Sequence, residues 1–112
     1  MRVAVPCEGR QVAVHFGHAA QFAFFDADPE SGEIASEETV DAPRHQPGLL
    51  PQWLAERGAE VVLAGGMGSR ARELFEKYGI KVRVGAREDD PKRVVEDYLK
   101  GTLSTDDNPC DH

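Results

Sequence analysis

The feature that most constrains the fold is the run EVVLAGG at residues 60–66, which is apolar throughout after Glu60. A strand without a polar face has to be covered on both sides, as the central strands of parallel sheets are. A helix is predicted directly after it and ends at Gly79, because apolar side chains recur at helical spacing: Met67, Ala71, Leu74, Phe75 and Tyr78. Residues 80–86 then alternate as a strand with one polar face, which we place at a sheet edge.

The first forty or so residues are instead typical of antiparallel strands. Strands are predicted at 2–6, 11–16, 22–28 and 33–40, separated by short turns or loops. Two further helices are predicted. The first has Leu49, Leu50, Trp53 and Leu54 on one face and stops at Gly58, and the second begins at Pro91 after an Asp90 cap and ends at Gly101. The resulting order, β-β-β-β followed by α-β-α-β-α, predicts an α/β fold with a mixed sheet covered by helices. We assign residues 1–103 to a single domain and 104–112 to a polar tail.

Length and charge limit the classes of function. The chain has 112 residues, which suits one domain, and its net charge is −7 at pH 7. This acidic balance argues against general nucleic-acid binding, which depends on basic side chains that displace counterions. No apolar run is long enough to span a membrane, and the first residues lack a secretory pattern. We therefore expect a cytoplasmic protein, in which Cys7 and Cys110 are free, metal-binding or redox-active thiols rather than a structural disulfide.

Candidate metal ligands lie near the predicted strand ends. His15 and His18 can meet one metal only if the turn between them brings them together; otherwise one is exposed and the other packs on its neighbours. Cys7 is either a thiolate ligand at the same edge of the sheet or a small buried side chain. His45 lies between two prolines and is either a ligand or part of an ordinary polar loop. The sequence leaves open whether the terminal residues 110–112, C-D-H, take part.

The glycine-rich loop after the apolar strand is a second candidate site. In AGGMGSRA, residues 64–71, the glycines let backbone amides approach a ligand, and the helix N-terminus that follows favours negative charge. We therefore predict that Gly65, Gly66, Gly68 and Arg70 form a cradle for an anion. The loop has neither the G-K-[ST] ending of a Walker loop nor the G-x-G-x-x-G spacing.

Signatures of catalysis are missing from the sequence. It contains no G-x-S-x-G, H-E-x-x-H or C-x-x-C motif. A two-metal nuclease needs carboxylates clustered on its central strands, and the strands predicted at 2–6 and 60–65 offer only Glu60. We therefore do not expect an enzyme.

The chain contains, in this order, the segments VAVP, VHFGHA and V-x-x-AGGMG-x-[KR]-A, followed by a Cys/His tail. This combination resembles the dinitrogenase iron–molybdenum cofactor biosynthesis family over nearly the whole chain. The resemblance implies a ribonuclease H-like fold whose five-stranded sheet combines an antiparallel meander with later parallel strands. It also implies that residues 11–16 form a short hairpin arm rather than a full strand. His15 matches the histidine of the family's HFG motif, residues 64–68 match its glycine loop, and His45 sits where related small members carry a histidine.

The resemblance implies a carrier or scaffold for iron–sulfur or molybdenum-containing clusters, and one relative of similar size holds a molybdenum–copper sulfide cluster. In this chain, the metal ligands would be His15, His18, His45 and Cys7, with the glycine loop and Arg70 offsetting the charge of an iron–sulfur or iron–molybdenum type cluster. Cofactor-assembly proteins would be its partners. The alternative is a regulatory or protein-interaction module whose glycine loop binds a small anion or a nucleotide.

Overall fold

A computed structural model describes residues 1–44, 48–86 and 90–101. The strands are β1 (Arg2–Glu8), β2 (Gln11–Val12), β3 (Gln21–Ala27), β4 (Ile34–Asp41), β5 (Val61–Leu63) and β6 (Lys81–Arg83). The helices are α1 (Leu49–Glu56), α2 (Ser69–Lys77) and α3 (Pro91–Lys100), and a turn of 3₁₀ helix spans Phe16–His18. None of the described helices is both long enough and apolar enough to cross a bilayer.

The sheet is mixed, as predicted. Its strand order is β4-β3-β1-β5-β6, and the two-residue β2 pairs with β1 outside this path. β3 runs antiparallel to both β1 and β4, whereas β5 runs parallel to β1 and β6. The prediction of a central apolar strand at 60–66 and an edge strand at 80–86 is therefore confirmed, although both strands are shorter than predicted.

Helices cover the two faces of the sheet with two separate cores. The first core packs α1 and α2 against one face and is rich in aromatic rings, with Phe22, Phe24 and Phe75 fully buried. The second core packs α3 against the other face through Val94 and Val95. The α3 ends agree with prediction, because Asp90 accepts a hydrogen bond from the Lys92 N–H at 2.9 Å and Gly101 is left-handed with φ 73°.

Two strand predictions in the first half are wrong. β1 does not stop at Pro6 but continues to Glu8, with Pro6 opposite Phe22 in β3. The Pro6 carbonyl accepts the Ala13 N–H at 2.8 Å. The Pro6 nitrogen therefore faces the same side of β1, because the N–H and carbonyl positions of one strand residue point the same way. On that side, β5 pairs only with Val3 and Ala4. Because no strand needs a donor from Pro6 there, proline is tolerated inside β1.

The second correction concerns residues 11–16. Only Gln11–Val12 pair as a strand, and the chain then turns into the 3₁₀ helix. The short hairpin arm that the family resemblance implies is therefore confirmed, and the longer alternating strand is not.

Candidate functional site

The segment that follows β2 is held against the loop that follows β5 by backbone hydrogen bonding. His15 and Gly66 form an isolated parallel bridge, and the Phe16 N–H donates to the Gly66 carbonyl at 2.7 Å. This contact places the 3₁₀ turn beside the loop, at the carboxyl end of the parallel strand β5. Ligands of α/β proteins commonly bind at such strand ends. We call residues 15–18 and 64–70 together the His–Gly rim.

Gly65 permits this close approach. A Cβ atom at position 65 would lie 2.7 Å from the Ala13 carbonyl oxygen and 2.9 Å from that of Val14. Atoms at that separation overlap, and these backbone oxygens cannot move aside by changing rotamer, as a side chain could. The Gly65 carbonyl also accepts the Gly85 N–H at 2.6 Å. The role of this glycine is therefore to let two backbone segments meet.

The two rim histidines come together as the sequence analysis required for a shared ligand. The 3₁₀ turn has three residues per turn, so side chains at positions i and i+3 lie on the same side. The ring centroids of His15 and His18 are 5.4 Å apart, and the rings meet edge to face. Two imidazoles on one tetrahedral metal, with metal–nitrogen distances of about 2 Å, have centroids roughly 5 Å apart. Their separation is thus compatible with one shared metal.

Phe16 anchors this turn from the opposite direction. It is buried, and its ring centroid lies 5.7 Å from that of Phe22 and 5.4 Å from that of Phe75. His15 is half-buried and His18 is exposed. The turn therefore directs one aromatic ring into the core and leaves two imidazoles at the surface.

The α2 N-terminus adds positive charge beside the imidazoles. Gly68 is the N-cap residue and forms no side-chain cap, and the first turn contains no acidic residue. Arg70 and Arg72 lie in this turn and are exposed. A helix N-terminus carries a partial positive charge, and neighbouring guanidinium groups add to it. Met67 is buried in the first core, as its place in the apolar pattern predicts, but it precedes α2, which begins at Ser69, and is not part of the helix as predicted.

The structure does not bring Cys7 to the His–Gly rim. Cys7 lies in the second core, with Val3 and Val5, and is 3% exposed. Its thiol donates to the Val5 carbonyl at 3.3 Å. Burial raises the pKa of Cys7 to about 11, against the lowering effect of a backbone hydrogen bond from Ala23. Cys7 is therefore a neutral thiol in this fold, and a thiolate is what metals bind.

Other candidates fall elsewhere. His45 and the tail residues Cys110 and His112 lie outside the described residues. Within 1–44, 48–86 and 90–101, no three His, Cys, Asp or Glu side chains are grouped so that they could hold a metal ion. A metal at the rim would thus have two imidazole ligands from the described part of the chain.

The comparisons with known proteins agree with this architecture. The chain belongs to the dinitrogenase iron-molybdenum cofactor family, whose sequence model matches residues 1–101. The crystal structure of PH0822 superposes with a TM-score of 0.87 at 34% identity, covering 95% of each chain. The apo form of the orange protein from Desulfovibrio gigas superposes with a TM-score of 0.75 at 30% identity, covering 96% of this chain and 94% of that one.

A protein from Methanocaldococcus jannaschii, at 17% identity and a TM-score of 0.76 over 97% of both chains, shares the fold. No curated protein matches the chain in a sequence search.

Proposed function

We propose that the chain binds an anionic metal–sulfur cluster, of iron–sulfur or iron–molybdenum type, at the His–Gly rim. It would act as a carrier or scaffold in metallocofactor assembly, not as an enzyme. The observation that carries the proposal is the pair of imidazoles 5.4 Å apart beside a helix N-terminus without a side-chain cap. Membership of the dinitrogenase iron-molybdenum cofactor family supports this class of cargo.

The chemistry of the rim suits this cargo. Imidazole nitrogen is a good ligand for iron and copper, and His15 and His18 supply two of them on one side of the turn. Sulfide-bridged clusters carry negative charge, which a protein of net charge −7 repels unless positive groups are placed locally. Arg70 and the amides of the α2 N-terminus supply that positive charge, and Gly66 and Gly68 keep side chains away from the backbone there.

The number of ligands favours a carrier. Two imidazoles hold a cluster less firmly than a set of thiolates, so the cargo can be passed to an acceptor in the assembly machinery. Cys7 is left out of the proposed ligand set, because a buried thiol with a pKa of about 11 would have to lose its proton first. His45 stays a candidate third ligand. We also propose that the sheet, with its antiparallel strands on one side of β1 and parallel strands on the other, is of the ribonuclease H-like type.

The test is cluster uptake by purified protein in the absence of oxygen. The protein is supplied with ferrous iron, sulfide and molybdate, and its visible absorption and bound metal are measured together. We expect visible bands with stoichiometric metal for the native chain. His15→Ala and His18→Ala should each lower metal retention by roughly tenfold or more, with the circular dichroism spectrum unchanged.

Arginine variants test the electrostatic part of the proposal. Arg70→Ala should weaken retention, whereas Arg93→Ala should not, because Arg93 is an equally exposed arginine early in α3, the helix on the other face of the sheet. A folded His15→Ala protein with full retention would exclude His15 as a ligand. A colourless native protein that takes up no metal would overturn the proposal and favour the small-anion or nucleotide alternative.

A further inference from the structure

The two edges of the sheet differ in charge. At one edge, β6 carries the exposed side chains of Lys81 and Arg83. At the other, β4 carries Glu37 and Glu38 within a run of exposed residues. Among the described strands, β4 pairs only with β3, and β6 pairs only with β5. Within the part of the chain that the structure describes, this acidic protein therefore has one basic strand edge and one acidic strand edge, and no described strand pairs with the outer side of either.

Backbone groups at the β6 edge point outward at Val82. The Lys81 N–H donates to the Glu60 carbonyl at 3.0 Å, and the Arg83 carbonyl accepts the Ala64 N–H at 2.9 Å. The peptide groups of Lys81 and Arg83 thus face β5. Because peptide direction alternates along a strand, the N–H and carbonyl of Val82 face away from the sheet.

The β4 edge offers matching groups. The Ala42 N–H donates to the Ala20 carbonyl at 2.9 Å, so even-numbered residues of this strand face β3. By the same alternation, the peptide groups of Glu37 and Thr39 face away from the sheet. β4 also runs in the same direction as β6. β3 is antiparallel to both β1 and β4, so β4 runs in the direction of β1. β5 is parallel to both β1 and β6, so β6 runs in that direction too.

We propose that the β6 edge of one copy of this chain binds the β4 edge of a second copy, head to tail, as a parallel strand. In the register that satisfies both edges, the Val82 N–H donates to the Glu37 carbonyl of the second copy and the Val82 carbonyl accepts the Thr39 N–H. Glu38 of the second copy then lies opposite Val82, and Glu37 lies beside Lys81. Opposite charges in such cross-strand positions stabilise pairing, and like charges oppose it.

The two faces of the joined sheets agree with this register. Val82 packs on the first core, so Lys81 and Arg83 project on the α3 face. Glu37 lines a recess together with Cys7 and Asp90, which places it on the α3 face as well. Glu38 projects on the opposite face, towards a groove of about 560 Å³ between α2 and β6, where Arg72 lies beside Glu73 and Glu76, so the charge of the lining is mixed. The charge pairing therefore lies on the α3 face, where Glu37 of the second copy meets Lys81.

Only three residues of β6 take part, so the association should be weak and salt-sensitive. Sedimentation equilibrium of the full chain, over a concentration series, measures it. We expect self-association at an ionic strength of about 0.01 M that is largely lost at about 1 M, where the Debye length falls from about 30 Å to about 3 Å.

Charge reversal identifies the two edges. The double variants Lys81→Glu/Arg83→Glu and Glu37→Lys/Glu38→Lys should each weaken self-association by about tenfold or more. Mixing the two variants should restore it, because each edge of one then faces an edge of opposite charge on the other. Arg93→Glu/Lys100→Glu, which changes the net charge as the first variant does but on α3, should associate like the native chain.

The four substituted edge residues are exposed, so folding should persist and is checked by circular dichroism. A native chain that stays monomeric at millimolar concentration would overturn the proposal. So would association that both edge reversals leave unchanged, or a mixture of the two variants that stays monomeric. None of these outcomes depends on cluster uptake, so this proposal and the proposed function fail separately.

Discussion

Two regions of the molecule contain residues that bind metals in other proteins, and the fold gives them opposite environments. At the His–Gly rim, a backbone bridge and a buried Phe16 hold His15 and His18 at the surface. In the second core, Cys7 lies in β1 among valines, and its neutral thiol donates a hydrogen bond to the Val5 carbonyl of the same strand. The comparison teaches that a place on a buried strand face or on a turn at the surface, more than residue type, decides how far a side chain is exposed to a ligand.

The largest expected effect comes from adding a side chain at position 65, where glycine lets the two backbone segments of the His–Gly rim approach each other. Gly65→Ala places a Cβ against the Ala13 and Val14 carbonyls and should lower the free energy of unfolding by about 2–3 kcal/mol. It should also reduce cluster uptake, since the bridge to Gly66 is displaced. Urea denaturation measures the first effect. Gly68→Ala is the matched control for stability alone, because a Cβ there meets no atom within 4 Å, and an equal loss of stability in both variants would contradict the argument.

A second prediction sharpens the contrast at Cys7. Its pKa is raised from 9.0 to about 11, so the protonated thiol stabilises the fold fully below the lower value. That stability should be lost as the pH rises from 9.0 to about 11. The Cys7→Ala protein should not show this part of the loss of stability at alkaline pH. The difference in urea midpoint between the two proteins, followed against pH, measures it.

The same thiol should react slowly with iodoacetamide near pH 8.5, where an exposed thiol is partly ionised, in a Cys110→Ser background. Cluster retention in Cys7→Ala should equal that of the native chain. Loss of the cluster in that variant would place Cys7 among the ligands and reverse the comparison.

The smallest effect is expected for Asp26, at the other end of the sheet, whose carboxylate we expect to contribute to stability and not to binding. Asp26 accepts hydrogen bonds from the Ser36 hydroxyl at 3.0 Å and from the Arg2 guanidinium at 2.9 Å, and these lower its pKa, the first most strongly. Asp26→Asn should cost about 0.5 kcal/mol of stability at neutral pH, because the pair is half-exposed.

The Asp26 contribution is present above its ordinary pKa of 3.8 and is lost as the pH falls through the lowered value. Acid unfolding of the two proteins should therefore converge at low pH. Cluster uptake should not change in Asp26→Asn, and a change would show that the two ends of the sheet are coupled.

The parts of the fold that could be predicted from sequence are those set by local signals. The Asp90 cap, the Gly101 stop and the apolar run in β5 each act within a few residues, and the structure has all three. Residues 11–16 could not be predicted in the same way, because their alternation suits a strand. The chain turns there because the Phe16 N–H bonds to Gly66, a residue far along the sequence.

The same reasoning applies to the candidate site. The histidines could be named from sequence, but their pairing depends on the 3₁₀ turn, which a long-range hydrogen bond stabilises. The position of Cys7 had a usable signal. Val3, Val5 and Cys7 alternate along one strand, so a thiol two residues beyond two valines lies on their buried face.

The bridge between His15 and Gly66 has a consequence for how such a protein can diversify. The frame of the rim is made from peptide groups, a buried phenylalanine and a glycine, and none of these is a metal ligand. Residues 15 and 18 can therefore be exchanged for thiols, carboxylates or other donors while the turn keeps its place. Under the proposed function, the choice of metal would be separate from the construction of its site, so one backbone could be adapted to several metals by changing two side chains.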